Sequence, residues 1–210
     1  MHPSPSSNGQ SIYSPLLGRG AGGEAFFVLI NDQLQDLNLD EALQQLSEQR
    51  RHQAFRYKHD LGRRTCAAAY LLLCEGLRRY YGIAEKPVFE YGEHGKPAIV
   101  RHPDIHFNLS HCREAVICVL ADRPVGVDIE SIRRAKDDLV RYTMNEDEVQ
   151  QILRADDPDL AFTRLWTMKE AVVKRSGLGI SNNMKDVLCP LPEGLTTVVS
   201  PDARYVYSYL

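Results

Sequence analysis

The segment Pro124-Val125-Gly126-Val127-Asp128-Ile129-Glu130 carries the reading of this chain. On a strand, residues i and i+2 face the same way, so Val127 and Ile129 turn to a core while Asp128 and Glu130 project together. The two acids then stand roughly 6.5–7 Å apart along the strand. Carboxylates so placed repel unless something neutralises them, and hard cations such as Mg2+ prefer oxygen ligands of this kind. An edge strand with two solvated acids gives the same pattern, so the motif by itself names no site.

Around this segment the period stays at two. Ala98–Val100, Ile105–Leu109, Ala115–Ala121 and Val125–Glu130 read as short strands punctuated by Pro97, Pro103 and Pro124. Upstream, Glu24–Ile30 reads as a first strand, followed by helical spacing from Asp40 to about Tyr57 and from Asp60 to Tyr81, with Asp60 a candidate N-cap and Gly82 a stop. Downstream come helices over Asn145–Leu153 and Pro158–Arg175, then strands over Thr196–Val199 and Arg204–Tyr209. Helices are followed by strands twice, and segregated helices with antiparallel strands predict an α+β fold. A boundary near Pro124 divides it into residues 24–124 and 125–210, after a Ser-, Pro- and Gly-rich stretch, Met1–Gly23, that reads as a flexible tail without the plan of a signal peptide.

The helix opening at Pro158 carries Phe162, Leu165, Trp166, Val172 and Val173 on one face, and Lys169 falls in the middle of that face. An ammonium there must snorkel, pair with a carboxylate or meet an anionic ligand. Glu170 and Lys174 flank the stripe, four residues apart; an ordinary surface ion pair accounts for them equally well. In Phe107-Asn108-Leu109-Ser110-His111, Phe107 and Leu109 share one face and Asn108 and Ser110 the other. Ser110 and His111 do not make a hydrolase pair, because adjacent strand residues point apart and no G-x-S-x-G elbow is present.

With 210 residues, 43% of them hydrophobic, the chain can bury one large core or two small ones without staples. Five cysteines with no CxxC pair argue for a reducing compartment, with the cytoplasm the default, and against a disulfide framework or zinc site. No apolar run approaches the roughly 20 residues that span a bilayer. A net charge of −3 gives no global reason to bind nucleic acid or an anionic membrane. Between Arg50 and Arg64, however, six bases face one acid, which reads either as a solvated helix face or as a site for a small polyanion.

Taken in order, Phe55-x-x-Lys58-x-Asp60-x-x-Arg63, Gly95-Lys96-Pro97, Phe107-Asn108-Leu109-Ser110-His111, Gly126-Val127-Asp128-Ile129-Glu130 and Trp166-x-x-Lys169-Glu170-Ala171-x-x-Lys174 resemble the surfactin-synthetase-activating type of 4'-phosphopantetheinyl transferase. The resemblance runs from about residue 45 to 181. It implies two similar α+β halves in one chain with the active site in the cleft between them. It also implies Mg2+ as cofactor, coenzyme A as co-substrate and an apo acyl or peptidyl carrier protein as partner; with both halves of the cleft in one chain it suggests a monomer, and the charge and apolar-run readings above add no nucleic-acid or membrane partner.

By position, Asp128, Glu130 and Glu170 resemble the metal ligands, and Lys169 and Lys174 would lie against the pyrophosphate. His111, Ser110, Lys96, Lys58, Arg63 and Arg51 would serve the nucleotide and its 3'-phosphate. Glu170, directly or through water, or Glu148 would take the serine proton, with Glu146 the other candidate for the auxiliary glutamate, and Lys174 would neutralise the leaving group. A relative that binds coenzyme A or a carrier without turnover, and a magnesium nuclease or phosphohydrolase built on the acidic pair, are the competing readings. Fatty-acid, polyketide and peptide carriers are not distinguished by these motifs.

Overall fold

The computed structural model describes residues 14–17, 26–179 and 184–210. The tail expected over Met1–Gly23 lies outside them except at Ser14–Leu17, which form strand β1, and Glu24 and Ala25 of the expected first strand lie outside as well. After β1 come β2 (Phe26–Asn31), α1 (Leu39–Gln45), α2 (Glu48–Phe55), α3 (Asp60–Tyr81), β3 (Phe89–Tyr91), β4 (Pro97–Ile99), β5 (His106–His111) and β6 (Val116–Ala121). Then follow β7 (Val127–Ser131), α4 (Asp137–Thr143), α5 (Glu146–Arg154), α6 (Pro158–Ser176), a 3-10 turn at Met184–Asp186, β8 (Thr196–Val199) and β9 (Tyr205–Tyr209).

The result is a mixed helix-and-sheet fold with three small sheets among the described residues, ordered β1-β2-β6-β5, β3-β4 and β7-β9-β8, and the ladders among these residues run antiparallel. Strand β6 is buried on both faces, which is why Val116–Ala121 reads as one apolar run rather than an alternation. One face packs with α3 through Ala69, Leu73, Leu77, Leu120 and Phe107. The other gathers Val28, Ile117 and Val119 with Val127, Ile129 and Tyr207, so the β7 sheet is fastened to the β6 sheet through apolar side chains. A third cluster, Met144, Ile152, Phe162, Leu165 and Leu188, seats α6 against its neighbours.

The single helix expected over Asp40 to Tyr57 is two. Leu46 is extended (φ −69°, ψ 155°), and the Ser47 hydroxyl accepts the Arg50 N–H, starting a second helix with an N-cap that a period-based reading overlooks. At α3 the N-cap is His59 and not Asp60, which stands inside the first turn, whereas Gly82 stops the helix in the left-handed region as expected (φ 69°). Strand β3 and helix α4 were not anticipated; three and seven residues are too few to show a period.

Gly126 decides how α6 meets β7. A Cβ there would lie 2.0 Å from the Ala171 carbonyl oxygen and 2.5 Å from the Arg175 nitrogen, so only glycine lets the helix backbone rest on the entry to the strand. That contact brings the acids of β7 beneath the last turns of α6.

Candidate active site

Val127 and Ile129 are fully buried, as the alternation requires, and Asp128 beside them is only 3% exposed. From α6, Lys174 Nζ donates to Asp128 Oδ1 at 2.5 Å and to Ser110 Oγ at 3.0 Å, while Ser110 Oγ donates to the same Oδ1 at 2.9 Å. Asn108 fixes β5 to β7, its Oδ1 accepting the Val127 N–H at 3.0 Å. Glu130 accepts from Trp166 Nε1 at 3.3 Å. Thus β5, β7 and α6 each contribute to one buried polar cluster.

The cluster is incompletely satisfied. Asp128 Oδ2 and Glu170 Oε1 are buried without a hydrogen-bond partner, a costly state that native structures rarely keep without a reason. Burial pushes the Glu130 carboxyl above its ordinary range, and the Asp128 charge adds to this against the pull of Arg133 and Lys174. Glu170 is raised likewise, first by burial and then by Asp128, with Lys174 opposing and Glu130 reinforcing. Three acids share one nearby ammonium. Among the described residues no group of three or more His, Cys, Asp or Glu is set to hold a metal as it stands, and Lys174 takes the place of a cation at Asp128. The donor chemistry still suits a hard cation, since the unpaired atoms are carboxylate oxygens and the acids beside them resist ionising together.

Two pockets flank the cluster. One of about 280 Å3 is lined by Lys96, Pro97, Asn108, Glu170, Lys174 and Gly179. The other, about 520 Å3, has Glu130, Arg133, Arg134, Lys136, Phe162 and Trp166 on its walls.

His111 closes β5 with exposed surface. Its imidazole pKa is nonetheless lowered, first because the ring is partly desolvated and then by the charges of Lys174 and Arg50, with Asp128 pulling the other way. Arg50 is a neighbour that the sequence reading did not single out, although it belongs to the basic run; its guanidinium donates to Gln53 Oε1 at 2.8 Å and to the Cys66 carbonyl. Arg51 holds the carbonyls of Leu43 and Gln44, and Arg63 holds the Tyr57 carbonyl and Asp60 while lying over the Phe55 ring. Lys58 is exposed between α2 and α3. Trp166, read from sequence as an apolar-face residue, supplies a half-buried donor; an indole N–H on an apolar face needs a partner, which is the signal that could have found it.

Three expected roles meet side chains already engaged. Lys169 is fully buried, with Nζ 2.9 Å from Glu148 Oε2 and donating to the carbonyls of Met184 (2.7 Å) and Lys185 (3.2 Å), so its awkward position is resolved by pairing inside the protein where a pyrophosphate contact was expected. Glu148, besides that pair, completes a capping box with Asn145 at the start of α5, so its Oε2 is engaged twice where a base was expected. Lys96 donates to the carbonyls of Val125, Lys174 and Arg175 at 3.2, 2.8 and 2.8 Å, filling the ammonium's three donors with protein oxygens where a nucleotide contact was expected.

The model of the 4'-phosphopantetheinyl transferase superfamily matches residues 124–205, the span that holds β7, α6 and their acids. The chain is 32% identical over 177 residues to the 4'-phosphopantetheinyl transferase psf-1 of Bacillus pumilus, covering 80% of this chain and 76% of that protein. It is 28% identical over 171 residues to the 4'-phosphopantetheinyl transferase Sfp of Bacillus subtilis (strain 168), covering 78% and 76%. Against the 4'-phosphopantetheinyl transferase AcpT of Salmonella typhimurium the figures are 36% over 116 residues, covering 52% and 59%. On this identity and coverage, the chain belongs to the 4'-phosphopantetheinyl transferase superfamily.

Proposed function

We propose that this chain transfers the 4'-phosphopantetheine group of coenzyme A to a serine of an apo acyl or peptidyl carrier protein, releasing 3',5'-ADP, with Mg2+ as cofactor. The observation that carries the reading is the buried cluster of Asp128, Glu170 and Lys174, whose acids keep two unpartnered oxygens beside a pocket. Asp128, Glu130 and Glu170 are the residues that would hold the metal, which when bound supplies charge neutralisation for a pyrophosphate.

In the transfer the serine oxygen forms a bond to the β-phosphorus of coenzyme A, the bond from that phosphorus to the oxygen of 3',5'-ADP breaks, and the hydroxyl proton must be taken up. Glu170, with its carboxyl pKa raised, is the acceptor this chain offers, directly or through water. The Lys174 side chain is 29% exposed, so it can turn donors toward a bound phosphate and steady the departing oxygen. His111 and the exposed Lys58 would face the nucleotide end, and Arg50, itself held by Gln53 and the Cys66 carbonyl, would add positive charge near His111. Arg51 and Arg63, engaged with backbone carbonyls, would shape that end more than contact it.

We read residues 24–124 and 125–210 as two α+β halves, preceded by a tail over 1–23, with the site in the cleft between them. The supply of Ser110 and Asn108 from β5 and of Asp128 and Lys174 from β7 and α6 supports this. Because both contributions come from one chain, the active unit is a monomer in this reading. Five free cysteines fit a reducing cytoplasm, and among the described residues no helix is long and apolar enough to cross a membrane.

The test is to incubate the protein with coenzyme A, Mg2+ and apo carrier proteins and weigh the carriers intact. Transfer adds about 340 Da to a carrier, the mass of the group that replaces the serine proton. No addition to any of several acyl and peptidyl carriers would overturn the reading; cleavage of coenzyme A without a carrier would instead favour a phosphohydrolase.

A further inference from the structure

The last turn of a helix leaves carbonyl oxygens without intrahelical partners, and at the end of α6 three of the four have defined acceptor contacts. Val173 O accepts the N–H of Gly177, the left-handed C-cap, and the hydroxyl of Ser176. Lys174 O and Arg175 O both accept from Lys96 Nζ at 2.8 Å. A cation at the negative end of the helix dipole is favourable in its own right. The same ammonium reaches Val125 O, one residue before the Gly126 contact, so it ties the end of α6 to the entry of β7.

The segment that brings Lys96 there is itself well defined. Gly92 N donates to Lys96 O at 3.0 Å, Gly95 N donates to Gly92 O at 2.9 Å, and Gly95 takes the positive φ of 79° that this tight turn requires. The stem of Lys96 lies close over Gly177, where a Cβ would stand 3.0 Å from its Cδ. One side chain therefore joins the β3–β4 hairpin, the C-terminus of α6 and the strand that carries Asp128.

We propose that Lys96 is a positioning residue: its ammonium clamps the end of α6 onto the entry of β7 and so holds Lys174 against Asp128 and Ser110, instead of contacting the nucleotide. The proposal rests on the transferase reading for its kinetic arm, but not for its structural one. A displaced α6 terminus would move Lys174 Nζ off the short contact with Asp128, and misplacement of about 1 Å can cost on the order of 100-fold in rate.

Lys96→Met removes the clamp, and Lys96→Gln keeps two donors for the carbonyls while losing the charge. For each variant and the wild type, the measurements are kcat with an apo carrier well below the melting temperature, affinity for coenzyme A and for 3'-dephospho-coenzyme A, and amide hydrogen exchange over residues 172–178. The expected result for Lys96→Met is a kcat lower by about 10- to 100-fold, faster exchange at the end of α6, and a preference for coenzyme A over its dephospho form unchanged within about twofold. Lys96→Gln should recover most of the exchange protection and part of kcat. Loss of that preference in either variant would overturn the proposal, as would a Lys96→Met protein with wild-type exchange at residues 172–178. Should Lys96→Met fail to fold, the Lys96→Gln measurements decide alone. A wild-type protein that modifies no carrier defeats the transferase reading, and the exchange data still judge the clamp.

Discussion

Lys169 and Lys174 lie on one helix, each beside a buried acid, yet their surroundings are opposite. Lys169 is sealed: Glu148 and two backbone carbonyls take its donors, and the Glu148 carboxylate also caps α5. Lys174 sits in an open account of charge, sharing Asp128 and Ser110 while Asp128 Oδ2 and Glu170 Oε1 have no partner. A buried ion pair whose hydrogen bonds are complete is a structural element. Buried carboxylates whose oxygens lack a protein partner suit a cation or a ligand donor instead. Charge alone does not separate the two regions; the exposure of the Lys174 side chain and the carboxylate oxygens left without partners beside it do.

The comparison breaks most visibly at Asp128. Asp128→Ala should lower transfer on the order of 1000-fold and weaken the dependence on Mg2+, measured as the rate of carrier mass gain across a metal titration. Activity near wild type would remove the acid from the proposed site. Lys174→Met should reduce kcat by about 100-fold while coenzyme A affinity changes by about threefold or less, because its part is played as charge develops on the leaving oxygen. A loss confined to affinity would assign it to binding instead.

In the sealed region the effect should fall on stability. Lys169→Met leaves the Glu148 carboxylate buried without its cation and should cost about 3–5 kcal/mol in urea unfolding. Adding Glu148→Leu should recover much of that, less about 1 kcal/mol for the lost capping box. Equal damage from the single and double variants would show that the pair is not what the lysine serves.

The smallest expected effect is at His111, whose folded pKa is lowered from 6.5 by partial burial and by Lys174 and Arg50. A base with a depressed folded pKa contributes stability that is intact above 6.5 and is lost as pH falls through the lowered value. The wild type should therefore lose melting temperature relative to His111→Gln as the pH is taken below 6.5. Parallel melting curves would show that the ring is not held neutral by its setting.

How much of this could be read beforehand depended on the length of the signal. The 22 residues of α3 and the 19 of α6 repeat their period several times, and their Gly stops and the Asp157 cap mark the ends. The alternation in Val127–Glu130 turned Val127 and Ile129 to the core, where both are fully buried, but the burial of Asp128 on the other face depends on β5 and α6 packing over it and was not legible locally. By contrast, β3 and α4 are too short for periodicity, and the break at Leu46–Ser47 rests on one N-cap hydrogen bond inside a continuous helical pattern. Lys169 shows the deeper limit. Its misfit on an apolar face was visible, and pairing with a carboxylate was one of the outcomes open to it. That the partner is Glu148, from another helix, depends on α5 packing against α6, which no local pattern encodes. Lys96 is similar, since its carbonyl partners lie far along the chain.

The central claim is that the unsatisfied acids, and not the sealed pair, perform the chemistry. The most direct test weighs an apo carrier over time with Asp128→Asn and with Glu148→Gln, both assayed well below their melting temperatures. The account predicts that Asp128→Asn adds essentially no phosphopantetheine while folded Glu148→Gln still modifies the carrier. Transfer by Asp128→Asn at the wild-type rate, or its complete loss in folded Glu148→Gln, would contradict it.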